Sequence, residues 1–72
     1  MMALKNKLKE TREQKNLTQA ELGQRVGVTR QSIIAIEKSR FVPSVKLALE
    51  LARALDAPFN EVFWLEEDSQ GE

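Results

Sequence analysis

One stretch, residues 19–38, constrains the fold of this chain more than any other. Two pairs of large apolar residues in it are spaced by four and by three positions, so each pair lies on one face of a helix. The pairs are Leu22 with Val26, and Ile33 with Ile36. Gly27 stands between them, and glycine adopts a positive φ without steric cost. We therefore expect two short amphipathic helices joined by a sharp turn.

Helix-capping residues predict where these two helices and their neighbours begin. Thr18 and Glu21 have the spacing of a capping box, so the second helix should run from about residue 18 to 26. Thr29 is an N-cap candidate for a third helix over about 30–38, and Ser44 is the N-cap candidate of the fourth helix. The other predicted helices cover residues 4–15, about 44–56, and 59–63.

The two central helices have the sequence pattern of a helix-turn-helix, whose second helix enters the DNA major groove. Arg30 can donate to O6 and N7 of guanine, Gln31 can pair with adenine, and Ile34 can contact thymine methyl groups. Ile34 faces away from the inward isoleucines, so we expect it to be exposed. This isoleucine and the tight helix spacing favour DNA binding over an ordinary solvated helix face. The predicted base contacts are Thr29, Arg30, Gln31, Ile34 and Ala35.

Contacts to the DNA backbone are expected on both sides of this face. Gln19 starts the second helix, where outward backbone amides form a natural seat for phosphate. Residues directly after the third helix can bind the backbone on the other side, which positions the protein without selecting a sequence. The predicted backbone contacts are Gln19, Ser32, Lys38, Ser39 and Arg40.

The charge distribution fits a nucleic-acid partner better than the net charge of zero suggests. Residues 1–43 carry a net charge of +5 and residues 44–72 a net charge of −5. The pattern favours a basic DNA-binding half and an acidic half turned elsewhere, with chance clustering as the alternative.

Two residue types that often carry chemistry are missing from the sequence. There is no cysteine and no histidine, which removes the thiolate ligands of metal sites and the commonest general base. We therefore expect no metal site, no cofactor, no small-molecule ligand and no enzymatic activity. No apolar run is long enough to span a bilayer, so no membrane association is expected. The predicted location is the cytoplasm, in association with the nucleoid.

Together these motifs resemble those of Cro/cI-type regulators, also called XRE-family helix-turn-helix regulators, and especially their short stand-alone members. The similarity runs from about residue 8 to 63. It is carried by Leu17-Thr18-Gln19-Ala20-Glu21-Leu22, Val26-Gly27-Val28-Thr29, Gln31-Ser32-Ile33, Ile36-Glu37, Pro43-Ser44, Leu47-Ala48 and Leu51-Ala52. It implies an all-α, five-helix lambda-repressor-like DNA-binding domain, with Gln19 bound to a phosphate and lying next to Gln31.

The resemblance also implies a partner for one buried charge. Arg12 extends the apolar face of the first helix and needs a carboxylate partner there. In relatives with a buried Arg–Glu pair between the first and third helices, the corresponding carboxylate is at Glu37. The family usually has glycine at position 39, so Ser39 must adopt the same turn at some cost.

The C-terminal end leaves two interpretations open. In some short family members, residues after the fifth helix form a strand with the N-terminus and support a homodimer, and residues 1–3 are the candidate partner strand. Trp64 and Leu65 are therefore predicted to form a dimer interface, since an edge aromatic is a good anchor. Alternatively, Trp64 closes the protein's own core. The predicted domain covers residues 1–65, followed by a weakly structured acidic tail over 66–72.

The function favoured by the sequence is a sequence-specific regulator of transcription that binds double-stranded DNA. We expect a repressor that acts as a homodimer on an inverted repeat, with the third helix in the major groove. The alternative is a protein-interaction module, such as an antitoxin or a coactivator-like adaptor, whose partner surface is the acidic half with Trp64.

Overall fold

The computed structural model describes residues 1–67, which form five helices and a pair of short strands. The elements are β1 (Met2–Asn6), α1 (Leu8–Gln14), α2 (Gln19–Val26), α3 (Arg30–Glu37), α4 (Val45–Ala54), α5 (Phe59–Val62) and β2 (Phe63–Glu67). The predicted fold class, five helices with a short terminal strand pair, is confirmed. No helix in this part of the chain has both the length and the apolar character needed to cross a membrane.

The N-termini of α2, α3 and α4 are capped by side chains as their sequences predict. The Thr18 hydroxyl accepts from the Glu21 amide at 3.0 Å, and the Thr18 amide donates to the Glu21 carboxylate at 2.8 Å. Thr29 and Ser44 each accept a hydrogen bond from the amide three residues ahead. Each cap satisfies a backbone donor that the first helical turn leaves without a partner. The helices therefore begin where local chemistry places them.

Two glycines shape the turn between α2 and α3. Gly27 ends α2 with φ of 77°, in the left-handed region that glycine adopts at little cost. Gly23 lies one turn earlier, and a Cβ atom there would stand 2.7 Å from the carbonyl oxygen of Val28. The Val28 amide donates to the Gly23 carbonyl at 2.9 Å. The missing side chain therefore lets the turn that leads into α3 lie directly against α2.

The core lies between the helices and the first residue of β2. Every helix and this strand residue contribute to it, and burial of these apolar side chains is the main favourable term in folding. The buried side chains are Leu8, Leu22, Ile33, Ile36, Ala48, Leu51, Ala52, Leu55, Val62 and Phe63.

The N-terminal segment differs from its prediction. The first helix begins at Leu8, and residues 2–6 form a strand antiparallel to β2, with Leu4 opposite Leu65. The prediction of a helix over 4–7 is therefore wrong. The spacing of Leu4 and Leu8 suits a helix, but Leu4 reaches the core equally well from β1. Pairing with β2 also gives the backbone of β1 its hydrogen-bond partners.

At the C-terminal end, β2 continues to Glu67. This is two residues beyond the domain boundary expected from the sequence, so Glu66 and Glu67 belong to the paired strand. Residues 68–72 of the predicted acidic tail lie outside the described residues.

Three helices end in the same way. Asn16, Ser39 and Asp56 follow α1, α3 and α4 with φ of 59°, 60° and 52°. In each case the amide of this residue and the amide of the next residue bond back to carbonyls in the last helical turn, the pattern of a Schellman motif. Ser39 thus adopts the left-handed conformation expected of it, where a Cβ atom costs free energy.

Candidate nucleic-acid interface

The N-terminal end of α3 is held by the cap at Thr29. The Thr29 hydroxyl accepts from the Ser32 amide at 3.1 Å and also lies 3.1 Å from the Ser32 hydroxyl. Thr29 is exposed and Ser32 is half-buried. The two hydroxyls therefore bond to each other, and the cap fixes how the first turn of α3 meets solvent.

Arg30 and Gln31 extend from this first turn into solvent. Both are exposed, and neither side chain has a hydrogen bond or an ion pair to another of residues 1–67. Unengaged donors on a fixed helix are suited to base edges, because a guanidinium can pair with guanine and a side-chain amide with adenine.

Ile34 is less exposed than the sequence suggested. It is half-buried, as is Ala35, although it lies on a short helix of eight residues. Ile34 nevertheless does not belong to the apolar side chains of residues 1–67 that pack against the core. On a helix surface it neighbours Arg30 and Gln31. The three side chains therefore share one face.

Gln19 makes a hydrogen bond that neither the residue spacing nor the family resemblance predicted. Its amide nitrogen donates to the Glu37 carboxylate at 3.1 Å. Within the described residues no hydrogen bond joins it to Gln31. Gln19 lines a shallow depression at the start of α2, which also includes Ala20 and Arg30. The structure therefore joins the α2 N-terminus and the first turn of α3 in one concave surface.

Behind this surface, Arg12 and Glu37 form a buried ion pair. The Arg12 Nε lies 2.7 Å from Glu37 Oε2, and the two side chains are 9% and 4% exposed. A second Arg12 nitrogen donates to the Leu17 carbonyl at 2.8 Å. These bonds satisfy both charges and connect α1, α3 and the loop that leads into α2.

The residues after α3 form the opposite margin of the face. Lys38, Ser39 and Arg40 are all exposed. The Ser39 amide donates to the Ile36 carbonyl at 3.0 Å, and the Arg40 amide to the Ala35 carbonyl at 2.8 Å. Their backbone is therefore ordered while their side chains remain free to extend into solvent.

The capping box also affects a carboxyl group. Hydrogen bonding with Thr18 holds the pKa of the Glu21 carboxyl below its usual 4.5. The backbone amide of Thr18 has the larger effect and the Thr18 side chain the smaller one. A negative charge at this point is also favourable next to the N-terminus of α2.

Trp64 and Leu65 lie on opposite faces of β2, because successive strand residues alternate. Trp64 is half-buried opposite Lys5, and its indole nitrogen donates to Glu66 at 3.1 Å. Leu65 is 63% exposed opposite Leu4. One flat contact cannot cover both side chains, and the interface role expected of them stays a prediction.

Asn6 is a structural residue that sequence analysis did not identify. Its side chain accepts from the Leu8 amide at 3.0 Å and donates to the Ile36 carbonyl at 3.0 Å. It therefore joins the corner between β1 and α1 to α3. An asparagine just before a helix start is a capping signal, but the predicted helix over 4–15 placed Asn6 inside the element.

Two capped helices around a glycine turn, with an exposed face on the second, define a helix-turn-helix protein. The chain belongs to the helix-turn-helix family, whose sequence profile matches residues 8–62. The resemblance to XRE-family regulators is thereby confirmed.

Individual relatives agree with this assignment. The chain is 48% identical over 66 residues to the uncharacterized HTH-type transcriptional regulator YgzD of Bacillus subtilis, covering 92% of this chain and 100% of the relative. It is 52% identical over 62 residues to an uncharacterized HTH-type transcriptional regulator of Methanothermobacter thermautotrophicus, covering 85% of this chain and 90% of the relative.

Solved structures give the same fold. The restriction-modification controller protein C.AhdI from Aeromonas hydrophila superposes with a TM-score of 0.71 at 33% identity, covering 75% of this chain and 78% of that protein. A hypothetical transcription factor NHTF from Neisseria superposes with a TM-score of 0.70 at 24% identity, covering 75% of this chain and 62% of that one. The second similarity concerns the fold alone.

Proposed function

We propose that this protein is a sequence-specific regulator of transcription that binds double-stranded DNA through α3. The observation that carries the proposal is the exposed pair Arg30 and Gln31 on a helix held by the Thr29 cap and the glycine turn. A helix in this setting fits the major groove with its N-terminal residues against base edges. The regulator names of its relatives support the same function.

Each part of the face has its own role in this proposal. Arg30 and Gln31 select bases by hydrogen bonds, and the exposed part of Ile34 contacts thymine methyl groups, with Thr29 and Ala35 completing the base-facing set. The remaining contacts hold phosphates and fix the register of the protein on the duplex. These backbone contacts are Gln19, Ser32, Lys38, Ser39 and Arg40.

We further propose that the protein acts as a homodimer on an inverted repeat. Two copies related by a two-fold axis place their α3 helices in successive major grooves, about 34 Å apart. Occupying a site that overlaps a promoter is enough to block transcription, so repression is the proposed outcome. This activity belongs in the cytoplasm, at the nucleoid.

The dimer surface that we favour is on α4 and not on the strand pair. Val45 and Leu49 line one shallow groove on the outer side of α4, and Phe41 and Val42 in the preceding loop are also exposed. Val45 is 74% and Leu49 is 49% exposed, and an exposed apolar surface rimmed by polar residues is typical of an interaction site.

The rim of this groove suits a second copy of the same chain. It carries Lys46, Glu50 and Arg53, so both signs of charge are present. In a two-fold contact the same surface meets itself, and a rim of mixed sign can pair with its own copy.

The test of DNA binding is selection of bound duplexes from random sequence, with the stoichiometry of the complex recorded. We expect an enriched inverted repeat bound by two chains, and lower expression from a promoter that carries it. Enrichment of no sequence would contradict the proposal. If the protein instead retained another protein from its source cells, a protein-interaction module would be the better description.

The test of the dimer surface compares two substitutions by sedimentation velocity. Leu49→Lys should convert the dimer to a monomer, whereas Leu65→Lys should leave it dimeric. The reverse result would place the interface on the strand pair. A parent protein that is monomeric at all concentrations would contradict the homodimer itself.

A further inference from the structure

The carboxylate of Glu37 lies at the junction of the first three helices. Its Oε2 atom accepts from Arg12 Nε at 2.7 Å, and its Oε1 atom accepts from Gln19 Nε2 at 3.1 Å. The Glu37 side chain is only 4% exposed. A buried carboxylate therefore contacts a residue of the proposed phosphate-binding surface without itself reaching the solvent.

The chemistry of this contact fixes the orientation of the Gln19 amide. An ionised carboxylate only accepts hydrogen bonds, so the amide nitrogen of Gln19 must face Glu37 and its carbonyl oxygen must face away. One of the two N–H groups is used in this bond, and the other remains free. Arg12 neutralises the carboxylate, so the negative charge behind Gln19 does not repel an approaching phosphate.

The position of Gln19 makes this orientation useful. Gln19 is the first residue of α2, where the backbone amides of Gln19 and Ala20 have no acceptor within residues 1–67, while the Glu21 amide is bonded to the Thr18 hydroxyl. It shares its depression with Arg30. A side-chain N–H held beside these donors can join them on one phosphate oxygen, whereas a freely rotating amide would lose rotamer entropy on binding.

We infer that Glu37 is a positioning residue for DNA binding, which holds the Gln19 amide with one N–H directed toward a backbone phosphate. The inference rests on the proposed function and adds a role to the ion pair, which otherwise only stabilises the fold. It predicts that the contribution of the Gln19 side chain to DNA affinity depends on Glu37, although Glu37 does not itself contact DNA.

A double-mutant cycle on the selected duplex tests this dependence. In the parent, Gln19→Ala should weaken binding about ten-fold, because a hydrogen bond to a charged group is lost. The salt dependence should not change, because a neutral amide releases no counterion. In a background with Arg12→Met and Glu37→Met, Gln19→Ala should change the affinity less than about two-fold, because the amide is no longer held.

The background is chosen because a buried ion pair can often be replaced by apolar residues without loss of stability. Lys38→Ala is the matched control, and it should weaken binding by the same factor in the parent and in the background. If Gln19→Ala lowers the affinity by the same factor in the parent and in the doubly substituted background, the inference is overturned and the proposed function is left intact. A parent that selects no duplex would overturn the proposed function itself.

A measurement on the free protein keeps the inference testable if the double substitution does not fold. In the side-chain amide NMR spectrum, one Gln19 proton should exchange slowly with solvent in the parent, and Glu37→Gln should abolish this protection. If neither side-chain amide proton of Gln19 exchanges slowly in the parent, the inference is overturned, whatever the DNA-binding measurements show.

Discussion

Arg12 is a charged residue with only 7% of its surface exposed. Its position on the apolar face of α1 predicted the need for a carboxylate, and Glu37 supplies it from 25 residues away. The bond satisfies a charge that would otherwise be costly to bury. A single residue of the sequence therefore constrains how α1 and α3 pack.

Removing the Glu37 carboxylate should strongly destabilise the fold. We expect Glu37→Ala to lower the free energy of unfolding by about 3–5 kcal/mol, because the Arg12 charge is left buried without a partner. Glu50→Ala is the control, since it breaks an exposed pair with Lys46 and should cost no more than about 1 kcal/mol. Urea unfolding measures both, and equal small losses would show that the Arg12 charge reaches water by another route.

Ser39 carries backbone strain that the family usually avoids. We expect Ser39→Gly to raise the free energy of unfolding by about 0.5–1 kcal/mol, because a Cβ atom is disfavoured at a φ of 60°. Gly27→Ala is the converse change, at a φ of 77° with open space around the new Cβ atom, and should cost about 1–2 kcal/mol. Thermal unfolding compares the two, and destabilisation by Ser39→Gly would contradict the assignment of strain.

The capping box should make stability depend on acid. Because the folded state lowers the pKa of Glu21 below 4.5, its contribution is fully present above that pH and is lost as the pH falls through the folded value. Glu21→Gln keeps a hydrogen-bonding group at the capping position but does not titrate. We therefore expect the unfolding temperature of this variant to fall less steeply with acid than that of the parent, and identical slopes would argue against the prediction.

At the scale of elements, α3 is proposed to make two kinds of DNA contact, to bases and to phosphates, and substitutions can distinguish them. Arg30→Ala should weaken binding to the selected site by about 1–3 kcal/mol and should barely change binding to unrelated duplexes. Its guanidinium is proposed to contact a base, and only the selected site offers the matching one. Gel-shift titrations on both kinds of duplex measure the difference. Equal weakening on every sequence would reduce Arg30 to a phosphate contact.

Lys38, at the other end of α3, should behave in the opposite way. Lys38→Ala is expected to lower affinity for all duplexes alike and to reduce the slope of log affinity against log salt by about one, because one fewer counterion is released. The measurement is a titration at several salt concentrations. A salt slope equal to that of the parent would show that Lys38 does not contact the DNA backbone.

The elements also differ in how well the sequence predicts them. The starts of α2, α3 and α4 could be predicted because each depends on a cap within three residues. The extent of β1 could not: the resemblance offered residues 1–3 as a strand, but residues 4–6 were predicted to be helical, and their partner β2 is about 60 residues further along the chain. The half-burial of Ile34 could not be predicted either, because helical spacing identifies the face of a residue but not what the rest of the fold places beside it.

At the scale of the whole molecule, the basic and acidic halves of the chain form different sets of helices and strands. Strand β1 and helices α1, α2 and α3 come from the basic half, while α4, α5 and β2 come from the acidic half. This arrangement suits a protein that presents a basic surface to DNA, since an acidic surface near the phosphates would be repelled. The α4 residues of the proposed dimer contact belong to the acidic half, whereas Phe41 and Val42 in the preceding loop belong to the basic half.

The sequence by itself determined the glycine turn, the capped helix starts and the identity of the face that carries Arg30 and Gln31. These features depend on interactions within about one helical turn, which are legible in the order of residues. Only the tertiary structure decided that residues 4–6 form a strand, that Gln19 binds Glu37 across 18 positions, and that Trp64 and Leu65 lie on opposite faces. Each of these depends on groups that are brought together only when the core closes, and short-range spacing does not encode them.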